Sequence, residues 1–446
     1  MKATHADFHD SAKLGRPCPK RAGIVLPILL LCAPSALAIA ASPESNMTQI
    51  LQLGTRAFTI TQTTPNRTPV VPMWKAQTPS DSRKNAAGFP MLKDARHFDV
   101  WKPARREEGA FNHCQSLFFY DGRFYAMWAN HLHGEDRPGQ RILYSTSRDG
   151  REWTPPAELF PPPCPMLKDD HPRGIFLLPD RLAVADGKLY AIAYVRRAFN
   201  YPIAREIAGG GTLLGEPFLL RDLPSKDGVT AALPAFMPRP RKAPEIASKI
   251  KKWYEDNDTA SWWSHVAGEG IPNRGVNGES LIEPSTYRSK HGMVLLMRHF
   301  ARSKDVKNKA SNRLYASFPD GKGGWTPPHP TDIPDSHSRA QTLRLPDGRV
   351  LLAGNQIAPR FDQGLSLARD PLTLAVSPDG EFFTKVFALR AGAPPQYRFL
   401  GITGRSKGFA YPSMVIHDNM IYVLYSVNKE DIAISMVPLD ALPANA

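Results

Sequence analysis

The chain has 446 residues, 42% of them hydrophobic and 22% charged, which excludes a disordered or low-complexity protein and allows a large buried core. Its net charge of +14 favours anionic partners, and the lysines and arginines are scattered rather than gathered in a basic tail. That distribution argues against nucleic acid and for an acidic polysaccharide.

In chain order, Lys20-Arg21 precede an apolar stretch over residues 23–40 that ends in Ala36-Leu37-Ala38 and Ala38-Ile39-Ala40. Charge, apolar core and small residues in that order predict a signal peptide over 1–40, hence a secreted or periplasmic protein. Pro27 and Pro34 break a run already shorter than the roughly 20 apolar residues a membrane span needs, so no membrane insertion is expected. Removing residues 1–40 takes away five cations and two anions and leaves a mature charge of +11. Two cysteines then remain, Cys114 and Cys164, which export would allow either to pair or to stay as buried thiols. Neither lies in a metal-ligand spacing, and a structural zinc or calcium ion is left open.

From residue 111 onward one unit recurs: a strand, a tight turn, then an alternating apolar strand. Its copies turn at Asp121-Gly122, Asp186-Gly187, His291-Gly292, Asp347-Gly348 and Asp418-Asn419. A third strand and a second turn follow several copies, as in Ile142–Ser147 with Asp149-Gly150, Leu314–Ser317 with Asp320-Gly321, and Leu374–Ser377 with Asp379-Gly380. Four antiparallel strands per unit predict an all-β fold, a β-propeller. Five copies are clear; residues 51–103 and 211–237 are expected to add one or two more, giving seven blades, with six as the alternative. Residues 239–268 break the pattern and predict a short helical insertion in an otherwise single domain over 41–446. Trp253, Trp262 and Trp263 there could stack on sugars or pack against the propeller. Asn46, Asn66 and Asn257 occupy glycosylation sequons that matter only in a glycosylating host.

Strands of a hairpin leave and return to the same end of a blade, so residues just before the first strand and just after the second share a face. This gathers Asn112, His113, His131 and His133 from the first unit, and His171, Arg173, Tyr194, Arg196 and Arg197 from the second. Asn277, Glu279, Arg298 and His299 come from the third, Ser338, Arg339, Asn355 and Gln356 from the fourth, and Phe409, Tyr411, Asn428 and Lys429 from the fifth. The set is rich in His, Tyr and Arg and thin in paired carboxylates, although Glu135, Asp136, Glu279 and Glu283 lie nearby. Hydrolysis of a glycosidic bond ordinarily uses two carboxyls. Elimination from a uronate needs a base, a charge stabiliser and an acid, which His, Arg and Tyr can supply.

The segment Ser147-Arg-Asp149-Gly150-Arg-Glu-Trp153 resembles the Asp-box (BNR) motif of the sialidase superfamily, where its role is structural. Together with Asn112-His113, Tyr125–Trp128, His133–Asp136 and Pro138–Gln140, it looks like the exported polysaccharide lyases of the ulvan lyase type, which are seven-bladed propellers. Weaker matches run through Ser338-Arg339, Leu345–Arg349, Gly354-Asn355 and Gly408–Pro412. The Arg-Ile-Pro motif of true sialidases is missing. The resemblance implies a lyase cleaving a uronate-containing, possibly sulfated glycan by β-elimination, acting as a monomer and needing no cofactor. By the same resemblance, catalysis falls to His113 with His131 or His133, and to Tyr194 and Arg205, with Tyr190 the competing tyrosine. Asn112, Tyr190, Arg197, Asn277, Arg298, Arg339, Asn355 and Tyr411 would bind substrate. A sialidase-type glycosidase pairing Tyr411 with a carboxylate such as Glu279 is the first alternative; a non-catalytic carbohydrate-binding propeller is the second.

Overall fold

The computed structural model describes residues 49–77, 85–163, 175–196, 201–208, 213–221, 225–226, 229–230, 240–257, 270–300, 312–357 and 368–443. They form an all-β propeller of five blades, each a four-stranded antiparallel sheet at its core, with one α-helix among the described residues.

Blade 1 runs Phe111–Tyr120, Arg123–His131, Arg141–Ser147 and Ala157–Phe160. Blade 2 runs Phe176–Ala185, Lys188–Arg196, Tyr201–Ala208 and Phe218–Leu219, with two-residue strands added at its edge. Blade 3 runs Leu281–Ser289, Gly292–His299, Arg313–Ser317 and His329–Pro334, and blade 4 runs Gln341–Arg344, Val350–Gly354, Leu372–Ser377 and Lys385–Arg390. Blade 5 takes three strands from the end of the chain, Phe409–His417, Met420–Val427 and Asp431–Pro438. Its fourth, Arg96–Trp101, comes from before blade 1 and closes the ring.

The count corrects the expectation of seven or six blades. The segments expected to supply extra blades are consumed elsewhere. Gln49–Leu53 and Arg56–Ile60 make a lone hairpin. Val71, Trp74 and Met91 then form single bridges to Thr331, Phe383 and Ala388 on the outer rims of blades 3 and 4. Residues 213–219 only extend blade 2, and Ser225–Lys226 with Val229–Thr230 is a two-residue hairpin. Val71, Met73 and Phe89 are strand-like because they are buried against blades 3 and 4, whose edges their segment covers.

The hairpin turns follow from their sequences. Asp121-Gly122, Asp186-Gly187 and Asp418-Asn419 all have both residues at positive φ, the mirror-image turn that matches the twist of the flanking strands. At the far end of blade 1, Ser147 Oγ donates to Asp149 Oδ1 and accepts from the Gly150 amide at 2.8 Å, and Trp153 Nε1 caps the Gly150 carbonyl. The Asp-box is thus a self-satisfied outer turn. Ser377, Asp379 and Gly380 on blade 4 repeat the pattern.

Alternation along each strand fills the gaps between blades. In blade 2, Leu189, Ala191, Ala193 and Val195 face blade 1, whereas Tyr190, Ile192 and Tyr194 face the other way. That second face is covered by the helix Pro244–Asp256 through Ala247, Ile250 and Tyr254. Pro244 opens the helix where its missing N–H costs nothing, and Glu245 follows in the first turn. The innermost strands are tied by side chains: the Leu117 amide donates to Ser413 Oγ, the Met414 amide to Gln341 Oε1, and the Thr342 amide to Ser285 Oγ.

Candidate functional site

The innermost strands of blades 1, 2, 3 and 5 share one irregularity. In each, two residues stand opposite one on the neighbouring strand: Cys114-Gln115, Asp180-Arg181, Glu283-Pro284 and Tyr411-Pro412. These are β-bulges, which re-aim side chains. Cys114, Glu283 and Tyr411 take φ of +57°, +59° and +59°, unfavourable for residues with a Cβ. Prolines fit at the second position because a bulge frees that residue from the ladder. The bulges turn Cys114, Asp180, Arg181, Glu283 and Tyr411 into one narrow crevice on the propeller axis, joined by Arg339 from blade 4.

At its centre the Tyr411 hydroxyl donates to Glu283 Oε1 at 2.5 Å and accepts from Arg298 Nη2 at 3.2 Å. Arg298 also reaches Glu283 Oε2 through Nε at 2.5 Å and donates to the His337 carbonyl. All three side chains are buried. Burial works against charge on Arg298, but Glu283 beside it holds the guanidinium above its ordinary value. Burial pushes the Tyr411 phenol well up, an effect that Arg298 opposes and Glu283 reinforces. Asp335, behind Arg298, is pushed up by burial to about 7.

His113 stands on the other side of Tyr411, with ring centroids 4.1 Å apart. Its Nδ1 is bound to Ser426 Oγ at 2.8 Å, and its Nε2 is buried 4.0 Å from Glu135 Oε1 without a hydrogen-bond partner among the described residues. Burial, and after it Lys429, Arg369, Arg298 and Arg339, hold this imidazole well below its usual value, so it is neutral. Glu135 receives Lys429 Nζ at 2.6 Å. Arg369 is 3% exposed, with Nε and Nη1 unpartnered among the described residues and its guanidinium 5.5 Å from the Tyr411 ring centroid.

His113, Cys114 and Glu135 place ligand atoms within 4.8 Å of one another, a spacing a metal ion could bridge. Burial, and after it Glu135, keep the Cys114 thiol protonated, and Lys429 already holds the other oxygen of Glu135. With four cations facing His113, the local field favours an anion over a dication.

Several residues singled out from the sequence are held elsewhere. His131 accepts the amides of His133 and Gly134 at Nδ1 and donates from Nε2 to the Pro138 carbonyl, knotting its loop. His133 faces Arg106. Tyr190 and Tyr194 are packed in the apolar layer under the helix. Arg205 donates to the carbonyls of Leu159 and Gly215, tying blade 2 to blade 1. Asn112 holds the Gly109 and Glu430 carbonyls, and Asn355 those of Pro371 and Phe409. Asn277 lies in a loop bonded to Thr68 and to Glu279, whose carboxylate takes the Tyr315 hydroxyl. Arg197, Cys164, Trp262 and Trp263 lie outside the described residues. The crevice brings together His113, Arg298, Arg339 and Tyr411.

Arg369, Glu135 and the bulged residues Cys114, Asp180, Arg181 and Glu283 escaped the hairpin rule. Arg369 and Glu135 precede the third strands of blades 4 and 1, at the same end of the propeller as the residues that were gathered. Extending the rule by one strand finds both. Asp180-Arg181 lies inside a strand, and only its bulge brings it to the axis.

By sequence, residues 235–423 match the BNR repeat-like domain and residues 91–175 the BT_1020-like N-terminal β-propeller. No curated protein matches the chain. Among solved structures, a sialidase superposes with a TM-score of 0.61 at 19% identity, covering 82% of this chain and 35% of its own. The Trypanosoma rangeli sialidase in complex with sialic acid gives 0.46 at 13% identity, covering 79% and 60%; a Dyadobacter fermentans protein gives 0.45 at 15%, covering 77% and 99%. The chain thus spans about a third of the length of the first of these. The BNR repeat-like match and the 0.61 superposition support a β-propeller fold with BNR-type repeats.

Proposed function

We propose that the chain is a carbohydrate-acting enzyme that hydrolyses the glycosidic bond of an acidic sugar, with Tyr411 as nucleophile. The observation that carries this reading is the buried Tyr411–Glu283 hydrogen bond, clamped by Arg298. A phenol is a weak nucleophile unless a base takes its proton as it attacks, and Glu283 Oε1 is placed to do so. A neutral tyrosine also avoids the repulsion a carboxylate nucleophile would meet from an acidic substrate. Arg298 fixes Glu283 and stabilises the anionic pair; Arg369 and Arg339 are available for the substrate carboxylate, a planar group suited to guanidinium. Glu135, with its side chain 25% exposed, is the nearby carboxylate that can pass the proton of the Lys429 ammonium it holds at 2.6 Å to the leaving oxygen.

A second reading, β-elimination from a uronate, is favoured by His113. A neutral imidazole beside Tyr411, its Nε2 unpartnered among the described residues, has the form of a base, and the arginines would neutralise the carboxylate whose α-proton it removes. Incubation with ulvan, related acidic glycans and aryl glycosides of acidic sugars separates the two. New reducing ends or released aglycone without ultraviolet absorbance support hydrolysis. Absorbance from an unsaturated uronate sinks hydrolysis and establishes elimination. Binding with no cleavage sinks both and leaves a carbohydrate-binding propeller.

A further inference from the structure

The loop over residues 391–408 joins the last strand of blade 4 to the first of blade 5 and so lies at the crevice end of the propeller. It walls Glu135. Thr403 bridges Gly134, the Gly404 carbonyl accepts from Lys429 Nζ at 2.9 Å, and a Cβ added to Gly404 would stand 2.7 Å from the Glu135 Cβ. Arg405, next in the chain, turns inward. Its side chain is 4% exposed, it pairs with Glu430, and it donates to the Phe399 carbonyl at 2.5 Å. Its guanidinium lies 3.9 Å from the Tyr397 ring centroid, which puts it over one face of that ring. Tyr397 is half-buried, and with a buried guanidinium beneath it the ring turns its other face outward. Lys407 Nζ, bonded to the Pro395 carbonyl, stands 5.8 Å from the same centroid.

The loop is tied down before any ligand arrives. Glu430 accepts the amides of Arg398 and Phe399 at 3.1 and 3.2 Å, and Asn428 Nδ2 donates to the Pro394 carbonyl at 2.9 Å. A preformed surface loses little freedom on binding. An outward aromatic face suits the C–H face of a pyranose, Leu400 adds apolar surface at 79% exposure, and the exposed Thr403 hydroxyl can meet the sugar's polar edge. Glu135 serves the leaving oxygen, so the group bonded to that oxygen emerges on the Glu135 side, where this loop stands. We propose that the loop, with Tyr397 as its platform, is a leaving-group subsite that binds a second sugar unit. The substrate class is then an oligosaccharide or polysaccharide, not a single acidic sugar on a small aglycone, and binding of the second unit contributes to turnover. The inference rests on the reading of Glu135 as proton donor to the leaving oxygen.

The test is isothermal titration calorimetry of the full chain carrying Tyr411→Phe, which slows turnover and keeps the buried ion pair. Ligands come in two pairs, each sharing its acidic sugar: methyl glucuronide with glucuronosyl-rhamnose, and methyl sialoside with sialyl-lactose. In one pair the longer ligand is expected to bind at least tenfold more tightly than the shorter. Adding Tyr397→Ala should abolish that gain and leave the shorter ligand within twofold, whereas Tyr397→Phe, which keeps the ring, should retain the gain within threefold. Binding of a short ligand with no gain from the second sugar, or a gain that survives Tyr397→Ala, would overturn the subsite alone. Equal weakening of short and long ligands by Tyr397→Ala would do the same, since it marks a structural role. No binding by any of the four would sink the acidic-sugar reading of the crevice and the subsite with it.

Discussion

Glu283→Gln and Tyr411→Phe, made separately, test the centre of the crevice, because they remove different parts of one network. Glu283→Gln takes the anion away from Arg298, which it meets at Nε and Nη2, and leaves that buried guanidinium uncompensated. Breaking a buried ion pair from one side costs about 3–5 kcal/mol. With an unfolding entropy of about 2.1 cal/mol/K per residue over about 400 residues, Tm should fall by about 4–6 °C. Tyr411→Phe keeps the ion pair and loses one hydroxyl, worth about 1 kcal/mol, so Tm should move by only ~1 °C. Activity should fall by about 10^2–10^4 in both, since one loses the base and the other the attacking oxygen. Differential scanning calorimetry and initial rates on the substrate class proposed above give both numbers. Tyr411→Phe retaining more than a tenth of wild-type turnover would refute nucleophilic catalysis by that hydroxyl.

Arg369→Gln should raise KM for an acidic substrate at least tenfold while leaving Tm unchanged or higher, because Nε and Nη1 of this buried guanidinium have no hydrogen bonds to lose among the described residues; a drop in Tm with unaltered KM would show a structural charge instead. Asp335 has a folded pKa raised to about 7, so between about 4 and 7 the unfolded chain ionises this group while the folded one does not. Fewer protons in the unfolded state make stability fall as pH rises through that window, by up to about 1.4 kcal/mol per pH unit. Asp335→Asn should lack this slope, and parallel urea midpoints for the two proteins from pH 4 to 7 would contradict it. Gly150→Ala should lower stability by about 1–3 kcal/mol without changing KM, since φ is +74° and a Cβ would stand 2.6 Å from Tyr422 Cε1; wild-type Tm in that variant would deny the Asp-box its structural role.

The blade strands and their turns were legible in the sequence because each blade repeats a period-two strand and an Asp-Gly or Asp-Asn turn, signals that need only local information. Blade number was not, because edge-covering residues such as 69–77 and 85–92 have the same β-branched and apolar composition as a strand inside a sheet. The site was half legible. Tyr411, Arg298, Arg339 and His113 sit at strand ends, where chain direction alone assigns the face. Glu279 stood as the example partner of Tyr411 because the hairpin rule gathers it from just before the first strand, whereas Glu283 lies inside that strand. The bulge adds one residue and reverses that choice. Tyr190, Tyr194 and Arg205 failed to reach the crevice for a related reason: the outer strands of blade 2 bury both faces, one against blade 1 and one against the helix, so aromatic and long side chains there serve packing.

The bulges explain how one scaffold holds such a concentration of unlike groups. At the same register in four blades the chain carries a thiol, an Asp-Arg pair, a carboxylate and a phenol, each turned to the axis by backbone pairing rather than by neighbouring side chains. Because the ladder on either side of each bulge fixes its position, the identity of the bulged residue can change without moving the others, at the cost of the positive φ at three of them. The chemistry performed therefore follows from which residues occupy the four positions and not from the propeller itself. A fold shared with sialidases at 19% identity is compatible with hydrolysis or elimination, and the choice falls to the Tyr411–Glu283 bond and to His113 beside it.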